Sequence, residues 1–380
     1  SIRPDIRNRN IVYLGTEEGI FISFDAGSHW QPFRNDLPPV SVHDIRMQQQ
    51  SDDLVIATHG RAVYIMDDMR PVQQLQDATS RGSWLFPPRP SFEWSLHEYD
   101  EGTYTNYAAD NPAYGVVVTF YQTQPQSTPP KIEILDSSGR TIRTISGSHK
   151  VQGKDKPYVS NKAGLNRYVW SFGVDGPVKW YGAARERYQG PDSGPSVPPG
   201  SYAVRLTLGT HSFVQRFVVQ PDPRSHLTQA DYQHIFALGL KLQGAFSLVD
   251  TMLNHLDDVT KAAKADLDAA QKAQNTALVA KLNDFLATRG TLFDFLTADY
   301  HNDEDGIQRP GALREDIQGA YFGAQGVPTA PVLAFIGRVT GELHDSTAKY
   351  NAFVATIPST NAALQSAGMK ALPSIPTVSP

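Results

Sequence analysis

The residue types best suited to chemistry fall into a few small groups. His43-Asp44 and His59-Gly60-Arg61 bring two imidazoles, a carboxylate and a guanidinium into one β-rich stretch. Turned toward a channel, they would bind an anionic or sugar ligand, because a guanidinium fork grips a carboxylate through two parallel hydrogen bonds. The structural alternative has His59-Gly60 closing a turn and Arg61 pairing with Asp67 or Asp68. That alternative is favoured, since polar residues flanking a turn glycine are common. Trp180 and Tyr181, in a Gly- and Pro-rich insert from Asp175 to Pro198 that also holds Tyr188, offer either a sugar-stacking platform or an anchor onto a neighbouring domain. Asp303-Glu304-Asp305-Gly306 clusters carboxylates that suit a hard cation. The EF-hand spacing fails there, with His301 at its first ligand and Ala312 at its closing Glu, so a solvated loop between helices is expected.

The rest of the composition narrows the chemistry. The chain of 380 residues holds no cysteine, which excludes disulfides, thiolate metal sites and a Cys nucleophile. A net charge of -5 leaves no basic excess to neutralise phosphates, so nucleic acid is not an expected partner. Gly-rich phosphate loops, HExxH and GxSxG are all absent, and no cofactor or metal is expected. No apolar run reaches the roughly 18–20 residues of a membrane span. A glycosidase centre of the sialidase kind needs an arginine cluster, a Tyr–Glu pair and an acid Asp. Arg3, Arg7, Arg9, Arg34, Arg46 and Arg61 are present, but none stands in the F/Y-R-I-P context of such a site.

The elements that must position these groups change character along the chain. Residues 1–78 read as short strands, Ile11–Thr16, Gly19–Phe24, Asp44–Gln48, Leu54–Thr58 and Ala62–Met66, separated by turn residues. YLGTEEGIFISFD and VIATHGRAVYIMDD repeat one phrase at a spacing near 45 residues, which points to propeller blades. Between them, Ser23, Asp25, Gly27 and Trp30 follow the pattern S-x-D-x-G-x-x-W. The carboxylate accepts backbone N–H groups, Gly allows positive φ and Trp packs under the turn, so the octet is structural. Residues 83–222 form a second β region, with Val116–Tyr121, Lys131–Leu135, Thr141–Ile145, Gly164–Phe172, Ser201–Leu208 and Ser212–Val219 as strands. It reads as an immunoglobulin-like sandwich in which the Asp175–Pro198 insert is a surface loop.

Residues 226–356 switch to helical spacing. Thr228 caps a first helix whose stripe runs Phe236, Leu240, Leu242, Phe246, Val249, Leu253 and Leu256. A second helix is expected from about Asp266 to Thr297, a short one at Pro310–Tyr321 and a last long one at Thr329–Ala355. Together they make an antiparallel bundle. Residues 357–380 are a Pro- and Ser-rich tail expected to be linker or disorder.

The order of these parts resembles the C-terminal half of bacterial sialidase-like or sortilin-like BNR-repeat proteins. The likeness rests on YLGTEEGIFISFDAGSHW, VSVHDIRMQQQSDDLVIATHGRAVYIMDD, KIEILDSSGRTIRTI, GLNRYVWSF and VPPGSYAVRLTLG. Ser23–Trp30 then looks like the family's Asp-box, with His29 where Ser or Thr is usual. The resemblance implies a secreted or periplasmic protein in which a large propeller precedes this segment. A closed propeller needs about four to eight blades, and residues 1–78 supply at most about two. The expected partner is therefore an N-terminal propeller portion of the same protein, on a cleaved or separate chain, or another subunit. The expected function is non-catalytic binding or scaffolding through a peptide or glycan. The alternative is a glycoside hydrolase whose active site lies in blades outside this chain.

Overall fold

Alternation of apolar residues with a period of two builds the opening sheets. β1 (Ile2–Pro4), β2 (Val12–Thr16), β3 (Gly19–Ser23) and β4 (Gln31–Pro32) pair antiparallel in that order. β5 (Val42–Gln48), β6 (Asp53–Thr58) and β7 (Val63–Met66) form a second antiparallel sheet. Ile11, Tyr13, Ile20 and Ile22 share one buried cluster with Val42, Ile45, Leu54 and Ile56, so the two sheets pack against each other. Gly15 lets them approach closely: a Cβ there would stand 2.5 Å from Val42 Cγ1. Asp5 is buried beside this core and accepts hydrogen bonds from Arg7 N, Asn8 N, the Tyr13 hydroxyl and the Gln73 side-chain amide. Four donors offset the cost of burying the carboxylate. Two short helices, α1 (Arg70–Gln73) and α2 (Leu75–Arg81), follow, and Val72 of α1 joins the same cluster with Met69 just ahead of it.

The computed structural model describes residues 1–94, 111–151, 154–183, 192–297, 312–324 and 326–379, a mixed α/β chain with several sheets. The second β region runs β8 (Ser83–Leu85), β9 (Ser91–Glu93), β10 (Val116–Gln122), β11 (Lys131–Leu135), β12 (Thr141–Ile145), β13 (Ser148–Val151), β14 (Lys154–Pro157) and β15 (Gly164–Trp170). It continues through β16 (Gly173–Asp175), β17 (Ser193–Ser196), β18 (Gly200–Leu208) and β19 (His211–Pro221). One sheet has the order β15-β10-β8 and another β12-β11-β18-β19-β9, closed at its edge by the parallel pair β19–β9. Trp170 of β15 is buried and meets Phe217 of β19 at 5.9 Å and Tyr202 of β18 at 6.3 Å between ring centres. These aromatic contacts join the two sheets.

The helices are α3 (Gln229–Lys272), α4 (Thr276–Leu296), α5 (Leu313–Gly323), α6 (Ala330–Val354) and α7 (Ile357–Ser366). Thr228 caps α3 as expected, in a reciprocal box with Asp231. The break expected near Asp266 comes later. The Ala-rich run through Ala270 continues the helix, and Gln274 at positive φ with Asn275 as the next cap ends it. Leu240 is 41% exposed and leaves the apolar stripe. Part of α3 is long and apolar enough by composition to cross a bilayer, yet its Leu242, Phe246, Val249 and Leu253 are buried in the helical core.

Two compact units emerge, and their boundaries differ from the sequence reading. One comprises Ser1–Phe172 with Pro199–Ser225, the other Gly173–Pro198 with His226–Pro380. The insert expected to be a loop on the β region instead carries β16 and β17 and belongs with the helices. The tail expected to be linker or disorder begins with α7, and Leu372 and Ile375 beyond it are buried in the helical core. Burial of apolar side chains overrides its loop-like composition. Tyr188, His301 and Asp303–Gly306 lie outside the described residues.

Candidate functional site

The tight turn after β3 is built from short-range donors. Ser23 Oγ donates to Asp25 Oδ1 at 2.8 Å and accepts from Gly27 N at 2.8 Å. His29 N donates to Asp25 Oδ1 at 2.8 Å, and His29 Nδ1 lies 2.6 Å from Oδ2. Ala26 and Gly27 both take positive φ, and Trp30 sits half-buried with its ring against Gly27. Ser23, Asp25, Gly27 and Trp30 thus hold a turn together.

The same hydrogen bonds hold the Asp25 carboxyl down at about 2, the His29 backbone N–H first and then the His29 and Ser23 side chains. Depression means the ionised form belongs to the folded turn. Its contribution is present above the ordinary carboxylate value and is lost as pH falls through about 2. The His29 amide resonance should therefore titrate with a midpoint near 2 and shift upward in Ser23→Ala. A midpoint near the ordinary value of 3.8 would show an unanchored carboxylate.

At one end of the β5–β6–β7 sheet His43 and His59 come together, with Arg61 in the turn that follows His59. The rings of His43 and His59 stack with centres 5.2 Å apart at 21°. Both imidazoles are exposed, as is Arg61 in the turn that Gly60 and Ala62 close with positive φ. Arg61 makes no ion pair with Asp67 or Asp68 among the described residues, because Arg70 takes Asp68 at 2.6 and 2.8 Å. Asp44 lies beside His43 and binds Arg46 at 2.7 Å and Arg3 at 3.1 Å, which lowers its carboxyl, Arg46 acting first. The result is an open, donor-rich sheet end with two exposed imidazole rings and a guanidinium that makes no ion pair among the described residues. It suits an anionic or hydroxyl-rich ligand held at the surface. A shallow cleft lined by Arg7, Asn8, Arg9, Asn10, Gln73 and Gln74 is likewise donor-rich, with Arg7 engaged by Asp52 at 2.9 Å.

Trp180 and Tyr181 take the anchoring role. A polar stripe along α3 (Gln243, Ser247, Asp250, Asn254, Asp257 and Asp258) follows helical spacing and binds the insert. Gln243 Nε2 donates to Asp175 O at 2.7 Å, Val178 N to Ser247 Oγ at 3.1 Å and Trp180 N to Asp250 Oδ2 at 2.8 Å. Asn254 brackets the next peptide, donating to Lys179 O at 3.0 Å and accepting from Tyr181 N at 3.0 Å. Trp180 Nε1 donates to Asp257 at 2.6 Å, while the Tyr181 hydroxyl donates to Asp258 at 2.7 Å. Partial desolvation and Asp258 push that hydroxyl up to about 12. Tyr181 remains 63% exposed, but its hydroxyl is engaged.

Beneath Trp180 lies a buried ion pair. Arg314 of α5 meets Asp250 at 2.6 Å through Nε and 3.2 Å through Nη2, and both side chains are essentially inaccessible. Burial pushes the Asp250 carboxyl upward, and the guanidinium and the Trp180 N–H oppose it. The Arg314 guanidinium also lies 4.7 Å from the Phe246 ring centre. Among the described residues no group of three or more His, Asp or Glu side chains could hold a metal ion. No family model and no curated protein matches the chain.

Proposed function

We propose that residues 1–78 are the closing blades of an Asp-box β-propeller in an extracytoplasmic protein that binds or scaffolds without catalysis. Its remaining blades come from an N-terminal portion of the same protein, or from another subunit. Residues 83–222 then serve as an immunoglobulin-like sandwich and residues 226–356 as a helical bundle. One observation carries this reading. Tyr64 and Met66 of β7 pack on the core shared with the first sheet, whereas Val63 and Ile65 on the opposite face are 57% and 62% exposed. Strand β7 is also a sheet edge. An apolar face at an open edge is what a propeller blade presents before its neighbour is added. The ligand, a peptide or glycan, would meet the exposed His43, His59 and Arg61.

Ile65→Lys should leave this chain's unfolding midpoint unchanged and abolish its association with the N-terminal portion, measured by size-exclusion chromatography of the mixture. Unchanged association would sink the reading of β7 as a blade face. Turnover of sialyl and other glycosides by the full-length protein decides between binder and hydrolase. Clear hydrolysis that a mutation on the propeller face abolishes would replace the first function with the second.

A further inference from the structure

Residues 370–379 form neither helix nor strand, yet they are held against the helices at regular intervals. Leu372 and Ile375 are buried, Val378 is half-buried, and the two residues between each pair are exposed. Burial that returns every third residue is the period of a polyproline II helix, three residues per turn, and not the two of a strand. Pro373 and Pro376 enforce it: each fixes its own φ near the polyproline value and keeps Leu372 or Ile375 before it extended.

The helices meet this backbone with side chains aimed at its peptide groups. Asn361 of α7 accepts from Leu372 N at 2.7 Å and donates to Leu372 O at 3.4 Å. Six residues on, Asn351 of α6 accepts from Val378 N at 3.0 Å and donates to Val378 O at 2.9 Å. Between them the Tyr350 hydroxyl donates to Pro376 O at 3.1 Å. That leaves the hydroxyl oxygen to accept from His255 Nδ1 of α3, 2.7 Å away. Two asparagine brackets six residues apart, with an apolar side chain turned inward at every third residue, fit the spacing of two polyproline turns. These five hydrogen bonds all go to the backbone of Leu372, Pro376 and Val378, so they do not read the side chains between the apolar positions.

We propose that this face of α6 and α7 is a peptide-recognition groove for polyproline II segments of the form apolar-Pro-x-apolar-Pro-x-apolar, and that Leu372–Val378 occupies it as the chain's own ligand. The occupant it would take in exchange is a partner peptide of the same chemistry. This inference is independent of the propeller reading, because it rests only on the helical unit.

The test uses the full chain with a specific protease site inserted after Gly368, in the exposed turn that ends α7. After cleavage, a fluorescent peptide spanning Lys370–Ser379 is added and its anisotropy followed. Saturable binding is expected to the cut chain and at least tenfold weaker binding to the uncut one. A peptide with one Ala inserted between Ser374 and Ile375 should bind at least tenfold more weakly, since the insertion rotates half the apolar residues out of the groove. Asn351→Ala in the protein should weaken binding several-fold. A cut chain that keeps its helical circular dichroism but takes up no peptide would overturn the proposal, as would equal affinity for the inserted peptide. Hydrogen exchange on the uncut chain gives a second reading that survives a poorly folding cut form. The Leu372 and Val378 amides should exchange by local opening, faster than the interior amides of α6. If they exchange only with α6, the segment is fixed core and the groove is not a binding site.

Discussion

Arg314→Met is expected to destabilise the helical unit by about 3–5 kcal/mol, the usual cost of removing one partner from a buried ion pair. The geometry supports a value in that range. Both charged groups are inaccessible, and the pair is bidentate at 2.6 and 3.2 Å. Once the guanidinium is gone, the Asp250 carboxylate is left among the described residues with the Trp180 N–H at 2.8 Å and the more distant Lys179 charge against its desolvation. Methionine fills most of the arginine's volume, so the loss is electrostatic more than a cavity effect. Adding Asp250→Asn to Arg314→Met should restore more than half of the stability, because the amide still accepts from Trp180 N and no longer carries a charge. Urea unfolding followed by helical circular dichroism reads this directly, since α3 to α7 all lie in one unit. A single-variant cost below about 1 kcal/mol, or a double variant no better than the single, would show that the pair is not uncompensated when broken.

How far the sequence disclosed this arrangement depends on the range of the interactions. The opening strands and the turn at Ser23–Trp30 rest on residues within a few positions of one another, and they appear where patterning puts them. The stripe of Leu and Phe on α3 was equally legible, because core positions recur at 3.6 residues. Its polar companions were not. Gln243, Ser247, Asp250, Asn254 and Asp257 look like a solvated helix face until the insert is seen lying along them. The signal was present as side chains of Asn and Asp type spaced by three and four on one face, but nothing local identifies the backbone they bind some 70 residues earlier.

The tail shows the same limit in the other direction. Composition rich in Pro and Ser fits disorder, and only the period of three in Leu372, Ile375 and Val378 argues against it. Arg61 was expected to pair with Asp67 or Asp68, as a polar residue flanking a turn glycine. Arg70, two residues from Asp68, has the shorter loop to close and takes it. Arg314 carried no sequence signal at all, being one arginine at the start of an amphipathic helix whose partner lies 64 residues away.

Trp180→Ala should cost about 2–4 kcal/mol and release the insert from α3, somewhat below the range for a fully buried Trp because this ring is only half-buried. The ring sits edge-on to Phe293 of α4 at 5.6 Å, with the Arg314 guanidinium 5.7 Å from its centre. Its Nε1–H satisfies Asp257, which Arg289 holds from the other side at 2.8 Å. Truncation therefore removes packing, a hydrogen bond and part of the shield over the Asp250–Arg314 pair together. Trp180→Phe separates these, since the ring remains and Asp257 keeps its arginine; about 1–2 kcal/mol is expected. Tyr181→Phe should cost under about 1 kcal/mol, because that side chain is largely exposed and only its hydroxyl contacts are lost. Hydrogen exchange at Val178 and Tyr181, whose amides donate to Ser247 and Asn254, reports release of the insert directly. Faster exchange at both amides in Trp180→Ala, with slow exchange kept in Tyr181→Phe, is the pattern of an insert held by one anchor. If Tyr181→Phe frees the insert as readily, the anchoring is shared along the α3 stripe and the indole is one contact among equals.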